Sequence, residues 1–358
     1  MSVERQLPYR TTFTATYLNA RGVHYLRARN INAPLPGTAD PLVRGSGVRP
    51  FGDVGNIFEY ESSGIFKQNQ MIFSVQNRFS RNVTVAGNYI LGWSRGDTDG
   101  AGTFPANTYD LREEFGRSSF DVRHRAFIFG SITMPWHVTL SPLIFASSGA
   151  PFNITTGVDT NGDSLSRERP SFATDTSRAS VKVTPLGTFD LDPLPGAQLI
   201  PRNFGDGPAS FTVNLRVSRT FGFGGSGATA ANAAAAQQAQ GGAGGRFGQG
   251  LPGGGGRPGG GEGGQGGGGR GPGGGGPGMG AVMFGGGGAS DHPYNLTISV
   301  NASNLFNRTN ASSPVGSLSS PLFGQSLSLG GGGFGGPGGG GGTAANNRRV
   351  DVQLRFSF

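Results

Sequence analysis

The chain has 358 residues, 68 of them Gly and 23 Pro, with 35% hydrophobic residues, no Cys and a formal net charge of +8. Zero Cys excludes a disulfide framework and thiolate metal sites, and no run of about 18 apolar residues is present to make a membrane-spanning helix. Gly and Pro together approach about a quarter of the chain, so ordered and low-complexity parts have to be separated first. The positive balance suits nucleic acid or anionic lipid and does not choose between them.

In chain order, Met1 to Gln6 reads as the stub of a strand and Leu7-Pro8-Tyr9-Arg10 as a tight turn. Thr11 to Ala20 sets Phe13, Ala15 and Tyr17 on one face against Thr12, Thr14 and Thr16, the alternation of a β-strand. Asn, Pro and Gly from Arg27 to about Val54 predict a long loop. Gln68 to Phe79 and Val83 to Trp93 alternate again around Ser80-Arg81-Asn82, the clearest hairpin in the chain. A polar loop over 95–119 carries Asp97, Asp99, Asp110, Glu113 and Glu114. Phe120 to Met134 starts charged and ends apolar, and Pro135-Trp136 turns into Val138 to Thr155, where Pro142 and Gly149 predict a bulged strand. Gly157 to Pro208 reads as a long acidic-polar loop, and Phe211 to Thr220 alternates once more. Residues 221–290 are Gly-rich without periodicity and are expected to be disordered, having nothing to bury; a helix over Ala228 to Gln240 would be too short to stand alone. Tyr294 to Leu305 and the last nine residues are the final strands, separated by a second Gly-rich run at 330–342. The last sets Val350, Val352, Leu354, Phe356 and Phe358 against Asp351, Gln353, Arg355 and Ser357.

This is an all-β, antiparallel chain of about eight strands plus a stub. Two-sided strands suit either a soluble sandwich or a barrel. A chain that stops on an aromatic resembles outer-membrane β-barrel proteins, whose terminal strand is read by the barrel-assembly machinery. The resemblance implies a partial antiparallel transmembrane β-barrel: strands and long outer loops over 1–220, a Gly-rich insertion over 221–290, and two last strands over 291–358. Short connections before Thr11 and after Phe79 and Met134, with long ones at 27–65, 95–119, 157–208 and 307–347, match the short inner turns and long outer loops of such barrels. The insertion falls on the short-turn side, tolerated because closure entropy grows slowly with loop length. Phe79, Trp136, Phe221 and Phe358 fall at the inner strand ends, as an interfacial aromatic girdle would.

Asn304-Leu305-Phe306-Asn307, followed by the terminal strand, resembles the C-terminal end of TonB-dependent outer-membrane receptors. Arg5-Gln6-Leu7-Pro8, Ser119-Phe120-Asp121-Val122-Arg123-His124-Arg125, Ser148-Gly149-Ala150-Pro151-Phe152 and Arg348-Arg349-Val350-Asp351-Val352-Gln353 are similar to the Oar-like subgroup. Its members carry a carboxypeptidase-regulatory-like domain ahead of a plug. The resemblance implies a barrel of about 22 strands around that plug. Met1 to Arg10 lack the apolar core of a signal peptide. The expectation is therefore the C-terminal part of a longer receptor in the bacterial outer membrane. Its partners would be outer-membrane lipid, the barrel-assembly machinery and a small ligand or glycan, with the TonB complex reached only through the missing N-terminal part. A free-standing small barrel or adhesin is the alternative.

Asp159, Asn161 and Asp163 have the opening spacing of a calcium loop, but the twelfth position, which should be Glu, is Pro170. A structural calcium and a plain acidic surface loop both fit; Asp97 and Asp99 are a weaker pair. Arg123, His124 and Arg125 could line a lumen or sit solvated at headgroup level. His24, His137 and His292 lack metal-ligand spacing, and neither a nucleophile elbow nor a phosphate loop is present, so no enzyme and no cofactor are expected. Arg246, Arg257 and Arg270 lie in Gly-rich sequence with only Phe247 among them, too few aromatics for a nucleic-acid partner.

Overall fold

The computed structural model describes residues 1–40, 43, 45–80, 82–194, 196–224, 292, 294–330 and 347–357. Strands β1 (Ser2–Leu7), β2 (Thr11–Asn30), β3 (Phe58–Arg78), β4 (Val83–Gly96), β5 (Gly116–Arg117), β6 (His124–Met134) and β7 (Val138–Ser147) come first. Short strands β8 (Pro151–Phe152), β9 (Ser171–Phe172), β10 (Val181–Thr184), β11 (Gly187–Asp190) and β12 (Gly205–Asp206) follow, then β13 (Ser210–Phe223), β14 (Tyr294–Ser303) and β15 (Arg349–Ser357). The main sheet runs β1-β2-β3-β4-β6-β7-β13-β14-β15, with β5 added on β4. It contains the eight strands and the stub that alternation predicts. Residues 225–291, most of 330–342, Arg81 and Phe358 lie outside the described residues, and with them the expected disorder, the Ala228–Gln240 helix and the terminal aromatic.

Two compact units divide the chain. The larger comprises 1–130, 142–214 and 302–349. In it β2 and β3 pair over nearly their whole lengths of 20 and 21 residues, with register shifts around Tyr25. The loop expected to begin at Arg27 therefore begins at Ile31, and the long connection expected over 27–65 narrows to 31–57. Side-chain alternation lapses beyond Ala20, but the backbone ladder does not depend on side-chain type and continues. His24, at φ +60°, sits in the bulge. Two further boundaries are corrected. β6 begins at His124, not at Phe120. β7 runs through Pro142 and stops at Ser147, because Gly149 crosses Gly207 so closely that a Cβ would lie 1.7 Å from its carbonyl oxygen.

The stretch expected as a plain acidic-polar loop, 157–208, is built. It supplies the three-stranded sheet β10-β11-β9, and β12 pairs with β8. Phe152, Ile154, Phe189, Ile200 and Leu318 form a buried cluster, flanked by Leu186, Leu191, Phe204 and Phe323. Burying such side chains stabilises by about 1.5–3 kcal/mol each, enough to hold connections that lack a long ladder.

The smaller unit comprises 131–141, 215–301 and 350–358. Thr220 and Thr297 hydroxyls meet at 3.0 Å, and Tyr294 stacks on Phe356 with ring centres 6.3 Å apart. Thr297 and Ser299 are buried while Val300, Val352, Leu354 and Phe356 are exposed. At the β6–β7 turn Trp136 and His137 both adopt positive φ, and Trp136 is 79% exposed.

Candidate functional site

Register sorts β2, β3 and β4 into rows. One face stacks Phe13–Val75, Ala15–Phe73–Tyr89, Tyr17–Met71–Leu91 and Asn19–Asn69–Trp93. The other stacks Thr12–Gln76–Ala86, Thr14–Ser74–Asn88 and Leu18–Gln70–Gly92. Phe73 lies 6.3 Å from both Phe13 and Tyr89, centre to centre, and the Tyr89 hydroxyl meets His124 Nδ1 at 2.7 Å. Tyr17, Met71, Val75, Tyr89 and Trp93 on the apolar face are exposed. A water-soluble sandwich hides such a face; a wall that shows it is made for an apolar surround. Arg123 stands over Trp93 at 5.0 Å and so shares the apolar face, and Arg125 donates to the Phe120 carbonyl at 3.3 Å. Phe79 is exposed at the short-turn end of β3, and Arg219 lies 4.6 Å from the Phe221 ring.

Above the rows, the connection from β4 to β6 supplies acids that arginines from other segments grip. Arg27 of β2 reaches Asp97 at 2.5 Å, Arg202 pairs with Asp99, and Arg169 Nη2 donates to Glu114 Oε1 at 3.0 Å. Asp97 also accepts the Ile65 amide, and Asp99 accepts Ser118 Oγ and the Ser119 amide. Both acids weighed as a weak cation pair are thus committed to arginines and amides. Arg27, Glu114, Arg169 and Arg202 are buried, and these three pairs join residues 55 to 103 apart in sequence. No local pattern could have announced them.

Asp159, Asp163 and Glu168 bring one carboxylate oxygen each within 4.8 Å of one another. Asp159 accepts the amides of Gly162, Asp163 and Ser164, which curls the loop around it. Asn161 Oδ1 accepts the Asp163 amide at 2.9 Å. Glu168 Oε1 accepts the Thr160 and Asn161 amides, while its buried Oε2 has no hydrogen-bond partner among the described residues. Burial, opposed by the Leu165 amide and reinforced by Asp159, pushes the Asp163 carboxyl up to about 6. Burial likewise pushes Glu168 up to about 7, with Asp163 and Asp159 adding to it.

These two shifts set a pH dependence. An unfolded carboxyl titrates near about 4, so between about pH 4 and 7 the folded loop holds more protons than the unfolded one. Its stability is therefore greatest below about pH 4 and falls as pH rises through about 7. In calcium-free buffer, amide exchange protection over 159–168 should be weaker at pH 8 than at pH 5. Equal protection at the two values would contradict this account.

Asn304 and Asn307 carry φ of +49° and +50°, a region that Asn tolerates better than other non-Gly residues. Asn304 is buried, takes the Asn307 amide on its carbonyl and exchanges two hydrogen bonds with the Arg308 backbone. Asn307 Oδ1 accepts the Arg348 amide next to β15. Phe306 between them is 67% exposed. The motif is a turn that ends one strand and ties down the start of the next. Asn304→Ala should destabilise by about 1–3 kcal/mol through the left-handed backbone and the orphaned amides; a urea midpoint matching the parent protein would rule that role out.

Comparison with known proteins gives a match between residues 1–233 and the family model described as outer membrane beta barrel domain. No curated protein matches. Among solved structures, the crystal structure of the outer membrane transporter YddB from Escherichia coli is similar at 10% identity and a TM-score of 0.45, covering 99% of this chain and 31% of that one. The chain thus spans less than a third of that protein's length.

Proposed function

Because the chain belongs to the outer membrane β-barrel domain family, we propose that it forms the C-terminal wall and outer loops of a TonB-dependent receptor of the Oar-like subgroup. It is an outer-membrane barrel protein, and its family is not one of enzymes. The observation that favours a receptor over a free-standing small barrel or adhesin is the sheet order. Among the described residues β1 and β15 stand at its two ends, and nine strands follow one another, an odd number, whereas single-chain bacterial barrels close with an even one. In the intact receptor the laced outer loops would capture a small ligand or glycan, and the energy-transducing TonB complex would act through an N-terminal plug. Val350, Val352, Leu354, Phe356 and Phe358 would serve as the assembly signal.

N-terminal mass spectrometry of the protein extracted from outer membranes, with the sequence of the upstream reading frame, tests this. A longer product with plug sequence ahead of Met1 is expected. A product starting at a signal peptide directly before these strands would instead establish the small barrel.

A second reading concerns the acidic cluster: Asp159, Asp163 and Glu168 would hold calcium, a hard cation that takes oxygen ligands. It is supported by Glu168 Oε2, a buried carboxylate oxygen with no hydrogen-bond partner among the described residues. Asn161, whose Oδ1 accepts the Asp163 amide, shapes the loop beside them. Terbium luminescence displaced by calcium should appear in the full chain and be lost in Glu168→Gln. Equal signals from the two proteins would remove this site.

A further inference from the structure

Arg21 stands opposite Lys67, Lys67 opposite Arg95, and Arg95 opposite Arg117. Directly opposed residues of an antiparallel ladder share a face, so four adjacent strands set four cations in one row across the wall. Like charges placed opposite one another are unfavourable, and the row needs counter-charge. Arg117 has it, from Asp121 at 3.0 Å and Asp206 at 2.8 Å. Among the described residues, Arg21, Lys67 and Arg95 have no carboxylate within 4.0 Å. All three are exposed.

The height of the row is fixed by the residues beneath it. On the same face the wall passes from Phe13–Val75 through Tyr17–Met71–Leu91 to Asn19–Asn69–Trp93, and the cations are the next row. Tyr17 Oη and Asn19 Nδ2 both donate to Asn69 Oδ1, so the polar fringe begins just below. Arg21 lies ten residues beyond Thr11, where β2 leaves its short turn. At a rise of about 3.3 Å and a tilt of about 45°, ten residues climb roughly 23 Å, close to the ~25 Å apolar band of such walls. The row therefore stands where hydrocarbon gives way to headgroups, on the side of the long loops.

We propose that this row binds the phosphates of an outer-leaflet lipid of the phosphorylated, acylated-sugar class. Acyl chains would lie on the apolar rows and the phosphates on Arg21, Lys67 and Arg95. Beside the row opens a cleft of about 700 Å³, lined by Arg95, Arg117, Phe115, Leu186, Phe204 and Asp206. Its apolar and basic walls suit a phosphosugar head. Asp206 already neutralises Arg117, which directs the phosphate toward Arg95 and Lys67. Lys67 Nζ is held 5.5 Å from the centre of the Phe115 ring at the cleft's edge.

The full chain and its Arg21→Gln/Lys67→Gln/Arg95→Gln variant, folded in a non-ionic detergent, test the proposal with diphosphoryl lipid A as probe. Lipid A should raise the melting midpoint of the parent protein and leave that of the variant unmoved, with at least a tenfold loss of binding. Without lipid the variant should melt no lower than the parent, since like-charge repulsion has been removed; this separates lost binding from lost folding. An Arg112→Gln control should bind like the parent. Equal stabilisation of parent and variant by lipid A overturns the proposal. So does equal protection of the parent by inorganic phosphate, which would assign the row to a free anion.

Discussion

Phe73→Arg is expected to destabilise the folded protein in lipid vesicles by about 2–4 kcal/mol, the cost of a cation near the middle of a lipid-facing wall. Loss of ring contacts with Phe13 and Tyr89 should add about 0.5–1.5 kcal/mol for each pair. Ser74→Lys, one residue along and on the opposite face, should cost far less. Urea unfolding followed through the two tryptophans of the chain would measure both. The contrast matters more than either value, because a one-residue step along a strand exchanges lipid for lumen. If Ser74→Lys cost as much as Phe73→Arg, the assignment of faces would fail.

Glu114→Ala should cost about 3–5 kcal/mol, since it strands Arg169 in a buried site whose only carboxylate partner among the described residues is Glu114. Ala106 also loses the acceptor of its amide. The paired replacement Glu114→Leu with Arg169→Met should recover most of the loss, because both charges leave together. A double-mutant cycle on the urea midpoint reads this directly. Additive losses would mean that the two residues act independently and that the pair does not hold the connections together.

The wall was legible in the sequence because its rule is local. Period-2 alternation from Phe13 to Tyr17, Met71 to Phe79 and Val350 to Phe356 marks strands without reference to anything distant. What defeated the reading is non-local. The upper halves of β2 and β3 keep their ladder after their faces stop alternating, so alternation alone sets the connection at 27–65 where the structure has 31–57. Phe152, Ile154, Phe189, Ile200 and Leu318 meet from separate segments with no spacing to betray them. The acids of 95–119 read as a polar loop, yet Asp97, Asp99 and Glu114 are matched to arginines far along the chain. Glu168 escapes the calcium-loop spacing, which puts the last ligand at Pro170, two residues beyond the carboxylate that joins the cluster. The Asn304 and Asn307 pair stands out in the sequence only by resemblance; its physical reason is two left-handed backbones in one turn, which no local pattern encodes.

Three arginines, Arg27, Arg169 and Arg202, rise from different parts of the chain and close on acids of the single connection between β4 and β6. That connection works as a keystone. Displacing any one of the segments it joins means parting a buried arginine from its acid, so these segments move as one hinged lid or hardly at all, and a molecule that lifts one corner must lift the rest.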